Sequence, residues 1–155
     1  MPQLVKGGKH TYGWSEVSAT GKVAVPSEAL AEYNLTPPCK VFLLSGSKRS
    51  GGFAVTTSSL LKNSALSRPL DENPRLACFQ LPEGETVTVA GKPHCWVTLN
   101  ADGCINVPLK TLKQYGVNAR DRLLLVRGSC FALAFCVKGP IIEEAKKHPT
   151  LALLK

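Results

Sequence analysis

Apolar positions along the chain come in short alternating or continuous runs broken by glycine, proline and asparagine, the pattern of many short strands. A strand is predicted from Tyr12 to Ser18, and Ser18-Ala19-Thr20-Gly21 reads as a turn in which glycine supplies the positive φ. Lys22 to Val25 alternates, with Val23 and Val25 on one face and Lys22 and Ala24 on the other. Pro26 ends that strand and suits the first turn of a helix running to Tyr33, where Leu30 and Tyr33 share a stripe. Asn34 stands where the helix must stop. A buried strand over Lys40–Leu44, a flexible basic hairpin over Gly46–Gly52 and a return strand over Phe53–Thr57 follow. The amphipathic stretch Ser59–Ser67, closed by Pro69, is predicted to be a short helix.

The whole pattern then recurs. A shift of 82 positions carries Trp14 onto Trp96, Gly21 onto Gly103, Val25-Pro26 onto Val107-Pro108, Leu30 onto Leu112 and Tyr33 onto Tyr115. No gap is needed as far as Gly46-Ser47 and Gly128-Ser129, and a gap of four then aligns Phe53-Ala54 with Phe131-Ala132. Asn34 becomes Gly116, the other residue that tolerates the left-handed conformation of a helix cap. The second buried strand is Arg122–Val126, Gly128-Ser129 is read as a tight type II′ turn, Phe131–Val137 returns, and Ile141–Lys147 forms a second short helix before Pro149. Two copies are too few for a solenoid. A repeat of about 75 residues is also marginal as a lone core, so the expectation is one mostly-β body with short helices, shared by both copies. The organisation expected is 1–69 as the first repeat, 70–91 as a partly β linker and 92–155 as the second repeat with a C-terminal helix. In the linker, β-rich runs fall at Leu76–Leu81 and Thr86–Val89.

Charge sharpens the picture. The chain of 155 residues has a net charge of +8. Residues 1–69 carry eight basic and three acidic groups, residues 92–155 ten and four, and the connection between them one and four. Two basic units joined by an acidic linker suit an anionic partner. None of the six cysteines is spaced C-x-x-C, so they read as small apolar thiols, with no metal or cofactor expected. The N-terminal stretch has no apolar signal region and no run approaches a membrane span, so a cytoplasmic protein is expected. Catalysis is not expected: His94 and Cys95 are neighbours on a strand and point to opposite faces, and the glycine-rich hairpin joins strands without opening a helix.

The unit of strand, turn, glycine, strand ending in Val-Pro, short helix, cap, buried strand and hairpin resembles the AbrB/MazE/SpoVT swapped-hairpin family of small DNA-binding β-barrels. The segments that carry the resemblance are Gly21-Lys22-Val23-Ala24-Val25-Pro26 with Tyr33-Asn34-Leu35, and Gly103-Cys104-Ile105-Asn106-Val107-Pro108 with Tyr115-Gly116-Val117 and Asp121. Cys39 departs from the pattern where the family has its aspartate. The resemblance implies a double-psi or swapped-hairpin AbrB-like β-barrel, closed within one chain as a pseudo-dimer. It also implies binding of double-stranded DNA in transcriptional regulation. Lys22 matches the basic residue after the glycine, but Cys104 replaces it in the second repeat, and Ala24 and Asn106 stand where MazE-like members are basic. Leu30, Ala31, Leu112 and Lys113 stand where AbrB-like members carry arginines.

The expected DNA contacts are therefore Lys9 and His10 on the N-terminal arm, Lys22 and Asn106 on the Val-Pro strands, and Lys48 and Arg49 on the expanded hairpin, with Lys92, His94 and Lys113 in the second unit. The paired tryptophans read first as core and second as a stacking surface. The alternative function is a non-catalytic interaction module of antitoxin or assembly type that has lost DNA binding. The apolar C-terminal tail would then meet a protein partner or a second copy.

Overall fold

The computed structural model describes residues 10–47, 50–62, 64, 67–127, 131–147 and the backbone of 153–154. The first repeat contributes β1 (Thr11–Glu16), β2 (Lys22–Ala24), α1 (Ser27–Glu32), β3 (Cys39–Ser45) and β4 (Phe53–Thr56). Three one-turn helices follow, α2 (Ser58–Leu61), α3 (Arg68–Asp71) and α4 (Pro74–Ala77), and then β5 (Val87–Val89). The second repeat contributes β6 (Lys92–Leu99), β7 (Cys104–Asn106), α5 (Leu109–Gln114), β8 (Arg122–Arg127), β9 (Leu133–Cys136) and α6 (Pro140–Ala145), with β10 (Leu153–Leu154) near the C-terminus.

The long strands form a nearly closed antiparallel barrel in the order β1-β8-β9-β4-β3-β6-β7-β2. Antiparallel pairings join one repeat to the other: β1 with β8, β3 with β6, β4 with β9 and β2 with β7. The registers match under the sequence shift. Trp14 opposes Leu124 as Trp96 opposes Phe42, and Glu16 opposes Arg122 as Thr98 opposes Lys40. Val23 opposes Ile105, its own equivalent. Neither repeat could bury its inward face alone, and the exchange of partners gives both a common interior.

That interior explains which residues the alternation needed. Val23, Val25, Val41, Leu43, Phe53 and Val55 face Leu99, Ile105, Val107, Leu123, Leu125 and Phe135 in one buried cluster. Phe53 stacks on Phe135 at 4.8 Å and tilts against Tyr115 at 5.6 Å. α1 and α5 plug the cluster with Ala29, Tyr33, Leu112 and Tyr115. Their ends match the expected caps: Asn34 and Gly116 have φ of 54° and 80°. The following amides close both motifs, Leu35 N–H on the Leu30 carbonyl at 2.8 Å and Val117 N–H on the Leu112 carbonyl at 2.9 Å.

Several expectations are corrected. The return strand of the second repeat begins at Leu133, not Phe131, and the equivalent residues Leu44 and Val126 oppose Ala54 and Ala134. The shift in this region is therefore 80 rather than 78, and Phe131 falls at the position of Gly51. The tight turn expected at Gly128-Ser129 lies outside the described residues. The run at Leu76–Leu81 is helical at its start, because Pro74 presets the first turn and Leu76 is buried. Phe79 then takes a φ of 57° and stacks on Phe42 at 5.1 Å. The run at 86–89 is the expected strand, joined to β6 by Ala90 and Gly91, both at positive φ as a type I′ turn requires. The helix expected over Ser59–Ser67 is one turn, Ser58–Leu61, capped by Thr57, whose hydroxyl accepts from the Leu60 amide.

The tryptophans lie outside the barrel interior. Trp96 is buried in an outer cluster with Phe42, Leu44, Leu61, Leu70 and Leu76, and its indole N–H donates to the Leu81 carbonyl at 2.8 Å. Trp14 packs half-buried against a second outer cluster of Leu124, Val126, Cys136 and Ile142. The side chains of adjacent strand residues alternate faces. The tryptophans therefore share outward-facing rows with Leu124 and Phe42, and the short helices cover those rows. β10 adds a parallel pairing to β1, with Trp14 opposite Leu153.

Candidate nucleic-acid interface

The expected contact residues fall into separate places. Three antiparallel steps separate β3 from β8, so these two strands run oppositely. His10, whose carbonyl accepts from the Arg127 amide at 2.9 Å, sits where β8 ends. Lys92 and His94 sit where β3 ends, with His94 opposite Leu44. The two groups thus lie at opposite ends of the barrel. Lys9, Lys48 and Arg49 lie outside the described residues.

Lys22 and Asn106 are brought together. They are direct cross-strand partners on the β2–β7 ribbon, and both are exposed. The ribbon is held by reciprocal bonds across the repeats, Val25 N–H to the Gly103 carbonyl at 2.9 Å and Val107 N–H to the Gly21 carbonyl at 3.0 Å. The Lys22 Nζ lies 2.9 Å from the Asp102 carboxylate. That hydrogen bond raises the lysine pKa and, with the Cys104 amide, lowers that of Asp102. Both groups are half exposed, so water and salt screen the pair. The sequence reading missed Asp102 as a partner. It occupies the turn position equivalent to Thr20, and only the pairing of β2 with β7 carries it to Lys22. A depression of about 350 Å³ adjoins Asn106, lined by Glu83, Thr98, Asn100 and Pro108. Glu83 accepts from the Thr98 amide at 2.7 Å, which places a carboxylate beside the ribbon.

Lys113 is exposed in the last turn of α5. The linker braces that helix: Thr111 donates to the Gly84 carbonyl at 2.6 Å, and the Thr86 hydroxyl donates to the Gln114 side-chain oxygen at 2.6 Å. Lys92 is half-buried beside the β5–β6 turn.

His94 is not a surface group. It is 5% exposed, and its Nδ1 accepts from the Ser45 amide at 3.2 Å. Burial, then the Lys92 charge, lowers its pKa below the usual 6.5. The folded protein therefore holds the ring neutral while the unfolded chain protonates first. Stability contributed by His94 is complete above about pH 6.5 and declines as the pH falls from there towards the lower folded value. His94→Gln is expected to flatten this decline; urea denaturation at pH 7.5 and pH 5 (about one unit or more to either side) checks it. An equal pH dependence in the variant would assign the decline to other groups.

Cys95 and Tyr115 in the interior are held protonated. Burial pushes the Cys95 thiol up to about 11. Burial and Cys95 raise the Tyr115 phenol well above its usual range, and its hydroxyl donates to the Leu43 carbonyl at 2.7 Å. Among the described residues no group of three or more His, Cys, Asp or Glu is placed to hold a metal ion, and no helix is long and apolar enough to cross a membrane. No family model matches the chain, and no curated protein matches it.

Proposed function

We propose that the chain is a swapped-hairpin barrel of the AbrB/MazE type closed within one polypeptide. We further propose that it binds double-stranded DNA as a transcriptional regulator, without catalysis. The observation that carries this reading is the exposed Lys22–Asn106 pair at one end of the β2–β7 ribbon, in a chain of net charge +8. In the family it resembles, the residues after the glycine approach the DNA. A lysine meets phosphate there, and an asparagine amide can meet phosphate or a base edge. Lys113 adds a further exposed positive charge on α5, whereas Lys92 starts β6 at the end away from the ribbon. His94 supports the scaffold and is left out of the contact set.

Asp102 competes with DNA for Lys22, which gives the reading a sharp test. Affinity for a labelled duplex, measured by fluorescence anisotropy over a salt series, is expected to fall linearly in log–log form. Each phosphate contact contributes a slope of about −0.9. Lys22→Ala should make the slope shallower by about that amount. Asp102→Asn should tighten binding by roughly two- to fivefold by releasing the lysine. Absence of binding at low salt, with the protein folded, overturns the DNA reading.

A second reading, an interaction module without DNA binding, is favoured by the Lys22–Asp102 ion pair and by Glu83 beside the ribbon. Both dilute the positive field at the place where the first reading needs it.

A further inference from the structure

We propose that the cavity between the first hairpin and α6 is a binding site for a small organic anion with an apolar, ring-sized body. The proposal does not depend on DNA binding. It starts from a difference between the repeats. The matched registers of β3–β4 and β8–β9 put Phe131 at the position of Gly51. Phe131 packs against the outer cluster of Phe42, Leu44, Leu61, Leu70, Leu76 and Trp96. The equivalent outer cluster, Leu124, Val126, Cys136 and Ile142, lies under the first hairpin, and Gly51 offers it no side chain.

A cavity of about 220 Å³ opens there. Val126, Ala134, Cys136 and Ile141 form its apolar lining, and Ser47, Ser50 and Lys138 supply its polar groups. A Cβ placed on Gly51 would stand 3.5 Å from the Lys138 Cε, so the missing side chain points towards the lysine. Lys138 is exposed and forms no ion pair among the described residues. The nearby carboxylates of α6 are engaged elsewhere, Glu143 with Lys146 and Glu144 with Lys147. Ser47 and Ser50 share one hydroxyl–hydroxyl hydrogen bond of 2.8 Å, and the accepting hydroxyl's own proton has no acceptor among the described residues. An apolar lining, a cation and a hydroxyl donor are the features that orient an amphiphilic ligand. A carboxylate meets the Lys138 ammonium and a serine hydroxyl, while its apolar body rests on Val126, Ala134 and Ile141. That body fills a place corresponding to the one Phe131 fills over the opposite cluster.

Phenylacetate is the probe, followed by calorimetric titration and by the ¹H–¹⁵N amide shifts of the full chain. A ligand of this size is expected to bind with a dissociation constant of about 1 mM or below. Shifts should concentrate at Ser50, Ala134, Lys138 and Ile141. Lys138→Gln, a change at an exposed side chain, should weaken binding by about tenfold. Ala134→Leu should abolish it by filling the cavity while leaving the remaining amide shifts in place. Three results would each overturn the proposal: no binding at about ten times that concentration, equal binding of the neutral analogue benzyl alcohol, or unchanged affinity in Lys138→Gln. If inorganic phosphate produced the same shifts at the same concentration, the site would be a simple anion site and the apolar part of the proposal would fail.

Discussion

Replacing Phe135 by alanine is expected to destabilise the protein by about 3–5 kcal/mol, the range for deleting a fully buried aromatic ring. Phe135 is 0% exposed and stacks on Phe53, which in turn touches Tyr115. The deletion therefore opens a cavity where strands of both repeats meet a plugging helix. Urea denaturation measures it directly. The companion variant Phe131→Ala removes the same ring from a half-buried place on an outer cluster and should cost distinctly less. The comparison is a test of register. If the second return strand began at Phe131, the larger loss would follow that residue instead. A loss below about 1 kcal/mol at Phe135 would contradict the shared interior.

The second large effect is expected at Gly21. Its φ is 93°, and a Cβ there would lie 2.0 Å from the Val107 carbonyl oxygen. Neither side has room to yield, because the Val107 amide donates to the Gly21 carbonyl at 3.0 Å and fixes the ribbon. Gly21→Ala should therefore cost upwards of about 3 kcal/mol, combining backbone strain with a steric clash. Gly116→Ala is the control. Its φ is also positive, 80°, but nothing lies within 4 Å of the added carbon. Only the left-handed conformation is penalised there, by about 1–2 kcal/mol. Equal losses in the two variants would mean that the close approach of the repeats at Gly21 does not constrain the fold.

The sequence by itself determined the elements whose causes are local. The two Val-Pro strands, the helices after them and the caps at Asn34 and Gly116 follow from alternation, proline geometry and the tolerance of positive φ. The repeat was legible because the same local requirements recur 82 residues apart. Where the causes are not local, the reading failed. The hairpin alignment was off by two residues, since identical Phe-Ala pairs align well by letter but only the hydrogen bonds within the β3–β4 and β8–β9 hairpins set the register. Leu76–Leu81 looked like a strand because Pro74 and the burial of Leu76 act from its flank and from another layer.

The candidate site divides the same way. Lys22 and Asn106 were both legible as polar interruptions of apolar strands, but their pairing is a contact between residues 84 positions apart. The neutralising Asp102 and the burial of His94 between β3 and β5 also depend on which strands become neighbours. A side chain's chemistry is written in its own position. Its partners, its exposure and hence its charge state were decided only when the strands of the two repeats paired with one another in the nearly closed barrel.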